Sequence, residues 1–231
     1  MGRQSRRAKE NEALIPSGAL PANQAFEALK KFKPTKFDQT VEVCMVLGVD
    51  PKHADQIVRG SVSLPKGIGK SKRVIAFCPV EQVAAAKEAG AIEAGGEELV
   101  EKIEGGWFDF DVAVSSPDMM RVISKLGRVL GPKGLMPSPK AGTVAKNVPE
   151  AVREYAAGKV EYRTDKAGNV HAVLGKLSFS PGDLLENYEH FVSTIEKAKP
   201  SSTKGEYIKK ITVSATMTPG IRVVHEAAVT A

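Results

Sequence analysis

Between residues 73 and 158 the sequence alternates short apolar runs with segments of helical spacing, and this alternation limits the fold more than any other feature. The runs RVIAFC and FDVAVSS are typical of buried strands, whereas EQVAAAKEAG, GEELVEKI, PDMMRVISKLG and PEAVREYAAG are typical of helices. Strands that alternate with helices form mostly parallel sheets covered by those helices. This part of the chain is therefore predicted to be an α/β unit.

Both ends of the chain carry a different pattern, in which apolar and polar residues alternate as in half-buried strands. The turn sequence DKAGN separates two of these runs and predicts a hairpin that exposes Lys166. Because the strands of the two ends need one another to complete a sheet, residues 1–66 and 158–231 are predicted to form one discontinuous domain, into which residues 67–157 are inserted. The predicted elements at the two ends are helices over residues 24–32 and 181–199 and strands over residues 37–49, 61–64, 160–164, 170–177 and 207–217.

The charge distribution favours a polyanionic partner for the discontinuous domain. The 231 residues include 33 Lys and Arg against 27 Asp and Glu, which gives a formal net charge of +6. Residues 67–157 hold 12 basic and 12 acidic residues, so the whole positive excess lies on the two terminal segments. This domain is therefore predicted to be the main anchor to an anion such as RNA.

The stretch from Lys125 to Val144 is rich in glycine and proline and contains no acid. It is predicted to be a long surface loop, since such composition disfavours regular structure. Two interpretations stay open: the loop contacts an anion such as RNA, or it packs Leu135 and Met136 against the inserted sheet. The basic residues that the first interpretation uses are Arg128, Lys133 and Lys140.

Enzyme chemistry finds little support in the sequence. The segment LPKGIGKS ends like a phosphate-binding loop, but Leu64 replaces the first glycine and a strand follows where a helix is needed. The four histidines have no cysteine or carboxylate at metal-ligand spacing. Ser116 precedes Pro117 and is predicted to be a helix N-cap rather than a nucleophile. We therefore predict no catalytic site, metal or cofactor, and a nucleotide-binding enzyme remains an alternative by fold analogy alone.

A cytoplasmic protein without a membrane partner is expected. The longest apolar runs are too short to cross a bilayer, and the first residues lack an apolar signal core. Glu10 and Glu12 argue against an organelle transit peptide, which is poor in acids. Cys44 and Cys78 lie in apolar strand-like runs and are predicted to be buried free thiols.

The stretch KLGRVLGPKGLMPSPKAGTV resembles the signature of the ribosomal protein L one family. The resemblance extends from about Lys36 to Ile221 through KFDQTVEV, VRGSVSLPKGIGK, GWFDFDVAV, VEYRTDKAGNVHAVLGK and SATM. It implies an α/β protein with a split α+β RNA-binding domain and an inserted Rossmann-like βαβ domain. It also implies a structural constituent of the large ribosomal subunit that binds large-subunit rRNA in the mobile stalk at the exit site, where deacylated tRNA leaves. Many members bind their own mRNA and repress its translation, and a free regulator of mRNA remains a second alternative.

The same resemblance implies the RNA-contacting residues. Without the resemblance, Phe37 would be assigned to the core, because large aromatic side chains are normally buried. Residues 216–218 would be assigned to an ordinary turn. The family usually carries glycine where this chain has Thr218, and a β-branched residue disfavours positive φ, so the turn could shift. Glycines at the two chain crossings predict hinges. The implied RNA contacts are Lys36, Phe37, Thr40, Glu42, Lys166, Gly168, His171, Thr216 and Met217, and the predicted hinges are Gly67, Gly69 and Gly158.

Overall fold

The computed structural model describes residues 5–225, so that both tips of the predicted terminal domain, residues 1–4 and 226–231, lie outside the described part. The chain divides into a terminal unit, Met1–Gly69 with Tyr162–Ala231, and a central unit, Lys70–Glu161. In chain order the helices and strands are α1 (Arg6–Glu12), α2 (Ala22–Lys31), β1 (Thr40–Leu47), β2 (Arg59–Val62), β3 (Val74–Phe77), α3 (Val80–Glu88), β4 (Ala91–Gly95), α4 (Glu97–Glu104), β5 (Val112–Ser115), α5 (Met120–Ile123), α6 (Gly127–Lys133), α7 (Val148–Ala156), β6 (Val160–Arg163), β7 (Asn169–Lys176), α8 (Pro181–Lys197), β8 (Ile208–Ala215) and β9 (Ile221–Val223).

The borders of the two units lie a few residues later than the sequence placed them. The sequence divided the chain after residues 66 and 157, whereas the compact units meet after Gly69 and after Glu161. The second border falls inside strand β6, which runs without a break from Val160 to Arg163. None of the helices between residues 5 and 225 has the length and apolar character that a bilayer crossing requires.

The terminal unit contains a four-stranded sheet with the order β7-β1-β8-β9, and β1 pairs antiparallel with both neighbours. The predicted alternation along β1 is confirmed, since Val41, Val43 and Met45 are fully buried on one face. Helices α2 and α8 contact each other and this sheet, and contribute the fully buried Phe26 and Phe191. Burial of these apolar side chains is the main stabilising contribution to the unit.

The central unit contains a parallel three-stranded sheet with the order β4-β3-β5. All four residues of β3 are buried, as expected for a strand covered on both faces. Two separate apolar clusters pack against the sheet, one with α3 and α7 and the other with α4 to α6. The sequence reading missed β4, because its residues AIEAG offer one large apolar side chain, Ile92, which is itself exposed.

The prediction of a long loop from Lys125 to Val144 is wrong. Helix α6 occupies Gly127–Lys133, and a short 3₁₀ turn follows at Pro139–Ala141. Leu126 and Leu130 lie four residues apart on one helical face and are both fully buried. Their burial outweighs the low helix propensity of the glycines and of Pro132. The packing interpretation is confirmed, since Leu135 and Met136 pack against the same core.

Three smaller predictions are also corrected. Helix α5 starts at Met120 after a turn, so Ser116 is not its N-cap, and the Ser116 hydroxyl is buried without a hydrogen-bond partner among the described residues. Strand β2 covers Arg59–Val62 rather than residues 61–64, and it pairs with β6, because β7 and β8 already occupy both edges of β1. Cys44 is half-buried, since the strand alternation turns it away from the core, whereas Cys78 is buried as predicted.

A pair of glycine substitutions tests the helix α6. A methyl group added at Gly127, the first residue of the helix, meets nothing within 4 Å apart from its chain neighbours and the helix backbone, and Gly127→Ala is expected to raise the free energy of unfolding by about 0.5–1 kcal/mol. Gly134 ends the helix with φ of 71°, so Gly134→Ala is expected to lower the free energy of unfolding by about 1 kcal/mol. Denaturant unfolding measures both changes, and equal losses in the two variants would contradict a helix that begins at Gly127.

Candidate nucleic-acid interface

The sheet of the terminal unit has one face that its helices do not cover. Strand pairing sets its exposed and half-buried side chains in rows across the strands, and the central row joins His171, Cys44, Thr212 and Arg222 from β7, β1, β8 and β9. We call this surface the open face. Its residues are Thr40, Glu42, Cys44, Val46, Asn169, His171, Val173, Lys210, Thr212, Ser214 and Arg222.

Hydrogen bonds between the start of β1 and the end of β8 hold one end of the open face, here named the threonine end. The backbone N–H of Thr40 donates to Thr216 Oγ1 at 3.1 Å, and the N–H of Thr216 donates to the Thr40 carbonyl at 3.1 Å. Lys176 Nζ donates to Thr40 Oγ1 at 2.8 Å. The buried Gln39 accepts from the N–H of Met217 at 2.9 Å. The backbone at this end is therefore held by side chains as well as by the sheet, and Gln39 had no signal in the sequence.

Phe37 projects from this end with 54% of its surface exposed, so it is not the core residue that its type favours. The chain on both sides of it is held in place: Thr35 Oγ1 donates to the Phe37 carbonyl at 2.7 Å, and Asp38 accepts from Ser178 Oγ at 2.7 Å. Lys36 is exposed beside it. An aromatic ring on a fixed backbone next to a cation is suited to stacking on a nucleic-acid base.

Thr218 closes the turn after β8 without strain. Its N–H donates to the Ala215 carbonyl at 3.0 Å, and its Oγ1 accepts from the Ala215 N–H at 2.9 Å. No residue other than glycine has positive φ within residues 5–225. The threonine therefore forms a regular turn of its own, and it leaves Met217 with 48% of its surface exposed.

The predicted hairpin turn is present between β6 and β7, but these strands form no ladder: one isolated antiparallel bridge joins Thr164 to Val170, since β6 pairs with β2. Asp165 organises the turn. Its carboxylate accepts from the N–H groups of Ala167 and Asn169, each at 2.8 Å. Gly168 has φ of 83° and is buried, and a Cβ there would lie 3.2 Å from a backbone oxygen. Gly168 thus shapes the turn, and the RNA contact implied for it stays a prediction. Lys166 is exposed at the tip.

Titratable groups add a mixed charge to the middle of the open face. His171 Nε2 lies 3.6 Å from Asp165 Oδ2. The pKa of the Asp165 carboxyl is lowered, first by the hydrogen bond from the Asn169 backbone and further by the nearby His171. Burial and then the Asp165 charge raise the pKa of the Cys44 thiol, so this thiol stays neutral at pH 7. No Lys or Arg of the described chain pairs with Glu42 within 4 Å, which leaves its carboxylate free to accept hydrogen bonds from outside.

The structure separates the predicted contacts into two ends of the open face. Phe37, Thr40, Thr216 and Met217 belong to the threonine end, whereas the tip with Lys166 lies beyond the opposite end of β1, where Val46 pairs with Asn169. Six residues of extended strand separate Thr40 from Val46, which is about 20 Å. Glu42 and His171 lie between the two ends.

The remaining basic candidates belong to the central unit. Arg128 and Lys133 are exposed on α6, and Lys140 is exposed on the 3₁₀ turn that follows. Lys133 Nζ lies 4.3 Å from the centre of the Phe108 ring. The central unit carries 13 basic and 13 acidic residues, so the net charge of +6 lies wholly on the terminal unit.

The predicted hinge glycines all have positive φ, at 64° for Gly67, 71° for Gly69 and 107° for Gly158. The fully buried Asn187 holds the first crossing: it accepts from the N–H of Lys66 at 3.0 Å and donates to the Gly67 carbonyl at 3.0 Å. The sequence reading missed Asn187, because a polar residue in an amphipathic helix is normally assigned to its solvent face. Hinge motion at these glycines stays a prediction.

These features define a mixed α/β protein whose most distinctive surface is an open polar sheet, and residues 5–225 contain no cluster of His, Cys, Asp and Glu that could hold a metal. Residues 29–219 match the model of the Ribosomal protein L1p/L10e family. The chain is also 49% identical, over 224 residues, to "Large ribosomal subunit protein uL1" of Protochlamydia amoebophila (strain UWE25), and the match covers 96% of this chain and 95% of that protein.

The chain therefore belongs to the Ribosomal protein L1p/L10e family, and the resemblance seen in the sequence is confirmed. As a member of this family it is a structural component of the ribosome and not an enzyme.

Proposed function

We propose that the chain assembles into the large ribosomal subunit, binds its 23S-type rRNA through the terminal unit, and forms the mobile stalk at the exit site. In this proposal the terminal unit is a split α+β RNA-binding domain and the central unit an inserted Rossmann-like domain that moves about the glycine crossings. The name of the relative supports the assembly. The observation that carries the RNA-binding role is the open face, with Phe37 exposed on a fixed backbone. The protein would act in the cytoplasm, where ribosomes translate.

The chemistry of the open face matches that of RNA. At the threonine end, Phe37 and Met217 would lie against flat bases or riboses, and the hydroxyls of Thr40 and Thr216 would meet 2′-OH groups. Lys36 and Lys166 would contact phosphates at opposite ends. The RNA would thus follow β1 for about 20 Å, and the free Glu42 carboxylate would accept hydrogen bonds along the way.

Sedimentation of ribosomes tests the assembly. Large subunits lacking this protein are mixed with the purified chain and separated on a gradient. The chain is expected to migrate with the large subunit in a one-to-one ratio. If it remains in the free fraction and binds only mRNA, the protein is a free regulator and the proposal is wrong.

Replacing Phe37 by alanine tests the open face. The variant is expected to bind an rRNA transcript more weakly by about 1–3 kcal/mol, because one stacking contact is lost. Its Tm should stay nearly unchanged, since the ring is exposed. Val80→Ala, which removes an exposed apolar side chain of the central unit, is the control and should leave RNA affinity unaltered. A large fall in Tm with normal RNA affinity would make Phe37 a structural residue.

Release of exit-site tRNA is assigned to the exposed cations of the central unit. In this proposal Lys133 and Lys140 meet tRNA and not the rRNA. Lys133→Glu combined with Lys140→Glu should therefore change the rate of deacylated tRNA release and leave rRNA affinity as it was. Reduced rRNA affinity without a change in release would instead assign the two lysines to the rRNA contact.

Repression of its own mRNA would use the same open face, because a similar RNA fold presents the same groups. A reporter gene is placed behind the mRNA leader of the operon that encodes this protein. The unaltered chain should repress the reporter, and Phe37→Ala should relieve that repression. Equal repression by the unaltered chain and by Phe37→Ala would exclude the open face from this role.

A further inference from the structure

We propose that a second RNA contact lies at the outer end of strands β8 and β9, where Lys209, Lys210 and Arg222 bind the phosphate backbone. We call these three residues the basic edge. The inference rests on the proposed function and extends it to residues that the family resemblance does not include. It places a phosphate contact away from the threonine end.

A β-bulge brings two consecutive lysines to the surface. Val46 pairs with Lys210, whereas the next residue of β1, Leu47, pairs with Ile208, so Lys209 is an extra residue on β8. In a regular strand successive side chains point to opposite faces, and one of the two lysines would enter the core. The bulge removes this conflict, and both lysines are exposed.

Arg222 joins Lys210 on the open face. It lies directly opposite Thr212, and Lys210 precedes Thr212 by two residues on the same face of β8. Lys210 and Arg222 are therefore diagonal neighbours on adjacent strands, a relationship that separates residues by about 7–8 Å. Two long cationic side chains at this spacing can bind one phosphate group between them.

A depression of about 370 Å³ lies at the basic edge and offers space for that group. No carboxylate of residues 5–225 pairs within 4 Å with Lys209, Lys210 or Arg222. The charge of these cations is therefore available to an anion from outside the chain. The charged residues that line the depression are Glu206, Lys209, Lys210 and Arg222. His225 also lines it, and its Nε2 lies 3.7 Å from Glu196 Oε1.

The position of the edge identifies RNA as the occupant. The central row of the open face ends at Arg222 after crossing all four strands, and Lys210 lies in the row beside it. A strand of RNA lying along the open face reaches the basic edge without leaving the sheet. Thr212 lies between His171 and Arg222 in the central row, and its hydroxyl can form a hydrogen bond with an RNA 2′-OH group.

The experiment compares two double variants of the full chain on a transcript of large-subunit rRNA. Lys210→Gln with Arg222→Gln should reduce the slope of log affinity against log salt by roughly 0.7 to 0.9, as expected when the one phosphate that the two side chains share is no longer neutralised. Lys31→Gln with Lys197→Gln removes two exposed lysines from α2 and α8 and should keep the slope of the unaltered chain. Tm values should agree among the three proteins, because all four residues are exposed.

An unchanged slope for Lys210→Gln with Arg222→Gln would overturn the inference. It would equally be overturned if this variant lost binding to a polyglutamate peptide but not to RNA, because the edge would then serve an acidic protein. The proposed function fails separately, when the unaltered chain shows no preference for the rRNA transcript over a shuffled RNA. The slopes can then be measured on the shuffled RNA, since phosphate contacts do not depend on sequence.

Discussion

Replacing Asn187 by leucine is expected to lower the free energy of unfolding by about 2–4 kcal/mol, although leucine has a similar size. Asn187 is fully buried and bonds three backbone groups: the N–H of Lys66 and the carbonyls of Gly67 and Leu174, the last at 2.7 Å. Leucine can bond none of them, and each buried polar group left without a partner costs about 1–3 kcal/mol. Denaturant unfolding of the full chain measures the loss.

Hydrogen exchange adds a local test of the same contact. The amide of Lys66 should exchange faster in Asn187→Leu, since its acceptor is gone. Asn147→Leu is the control: Asn147 is exposed and donates only to the Glu150 side chain, so its loss should change stability by less than about 0.5 kcal/mol. Equal stability of the two variants would show that the Asn187 bonds do not hold the crossing.

Gly48→Ala is the second change with a large expected effect, again a loss of about 2–4 kcal/mol. A Cβ at this position would lie 2.2 Å from the backbone oxygen of Glu206, far inside contact distance. The chain after β1 would have to move away from residues 206 and 207, which would break the 2.7 Å bond from the Gly48 N–H to the Tyr207 carbonyl. Thermal unfolding measures the loss as a lower Tm.

Gly18→Ala is the matched control for this substitution. A Cβ at Gly18 meets nothing within 4 Å, so the change should alter stability by less than about 0.5 kcal/mol. Because Gly48 lies next to the bulge that exposes Lys209, Gly48→Ala should also weaken RNA binding at the basic edge. A normal Tm for Gly48→Ala would mean that the strands can move apart at this point without a loss of stability.

The sequence alone was enough for the family and for most of the regular elements, though not for β4 and α6. The period of two along β1 assigned Val41, Val43 and Met45 to the core, and the period of helices did the same for Phe191 and Ile195 on α8. The residues DKAGN specified the hairpin turn, because Asp165 bonds its own backbone and Gly168 adopts positive φ. These are local properties, set by residues close together in the chain.

The sequence could identify most of the candidate contact residues, but it could not predict how they are arranged in space. Phe37 and Lys166 both carry a signal in the sequence, yet nothing there places them at opposite ends of one sheet. Gly168 was assigned to the surface, and only the approach of β1 shows that it is buried. Gln39 and Asn187 were missed because Met217, the partner of Gln39, and Lys66 and Gly67, partners of Asn187, lie more than a hundred residues away along the chain.

What the sequence determined by itself was the α/β class, the family and the buried face of the elements with clear periodicity, such as β1 and α8. Only the tertiary structure decided that the stretch after Lys125 becomes helix α6, since burial of Leu126 and Leu130 outweighs glycine and proline. It also decided the bulge that exposes Lys209 beside Lys210. The physical reason is that periodicity specifies which side of an element faces the core, whereas register, bulges and the ends of helices depend on contacts with strands distant in sequence.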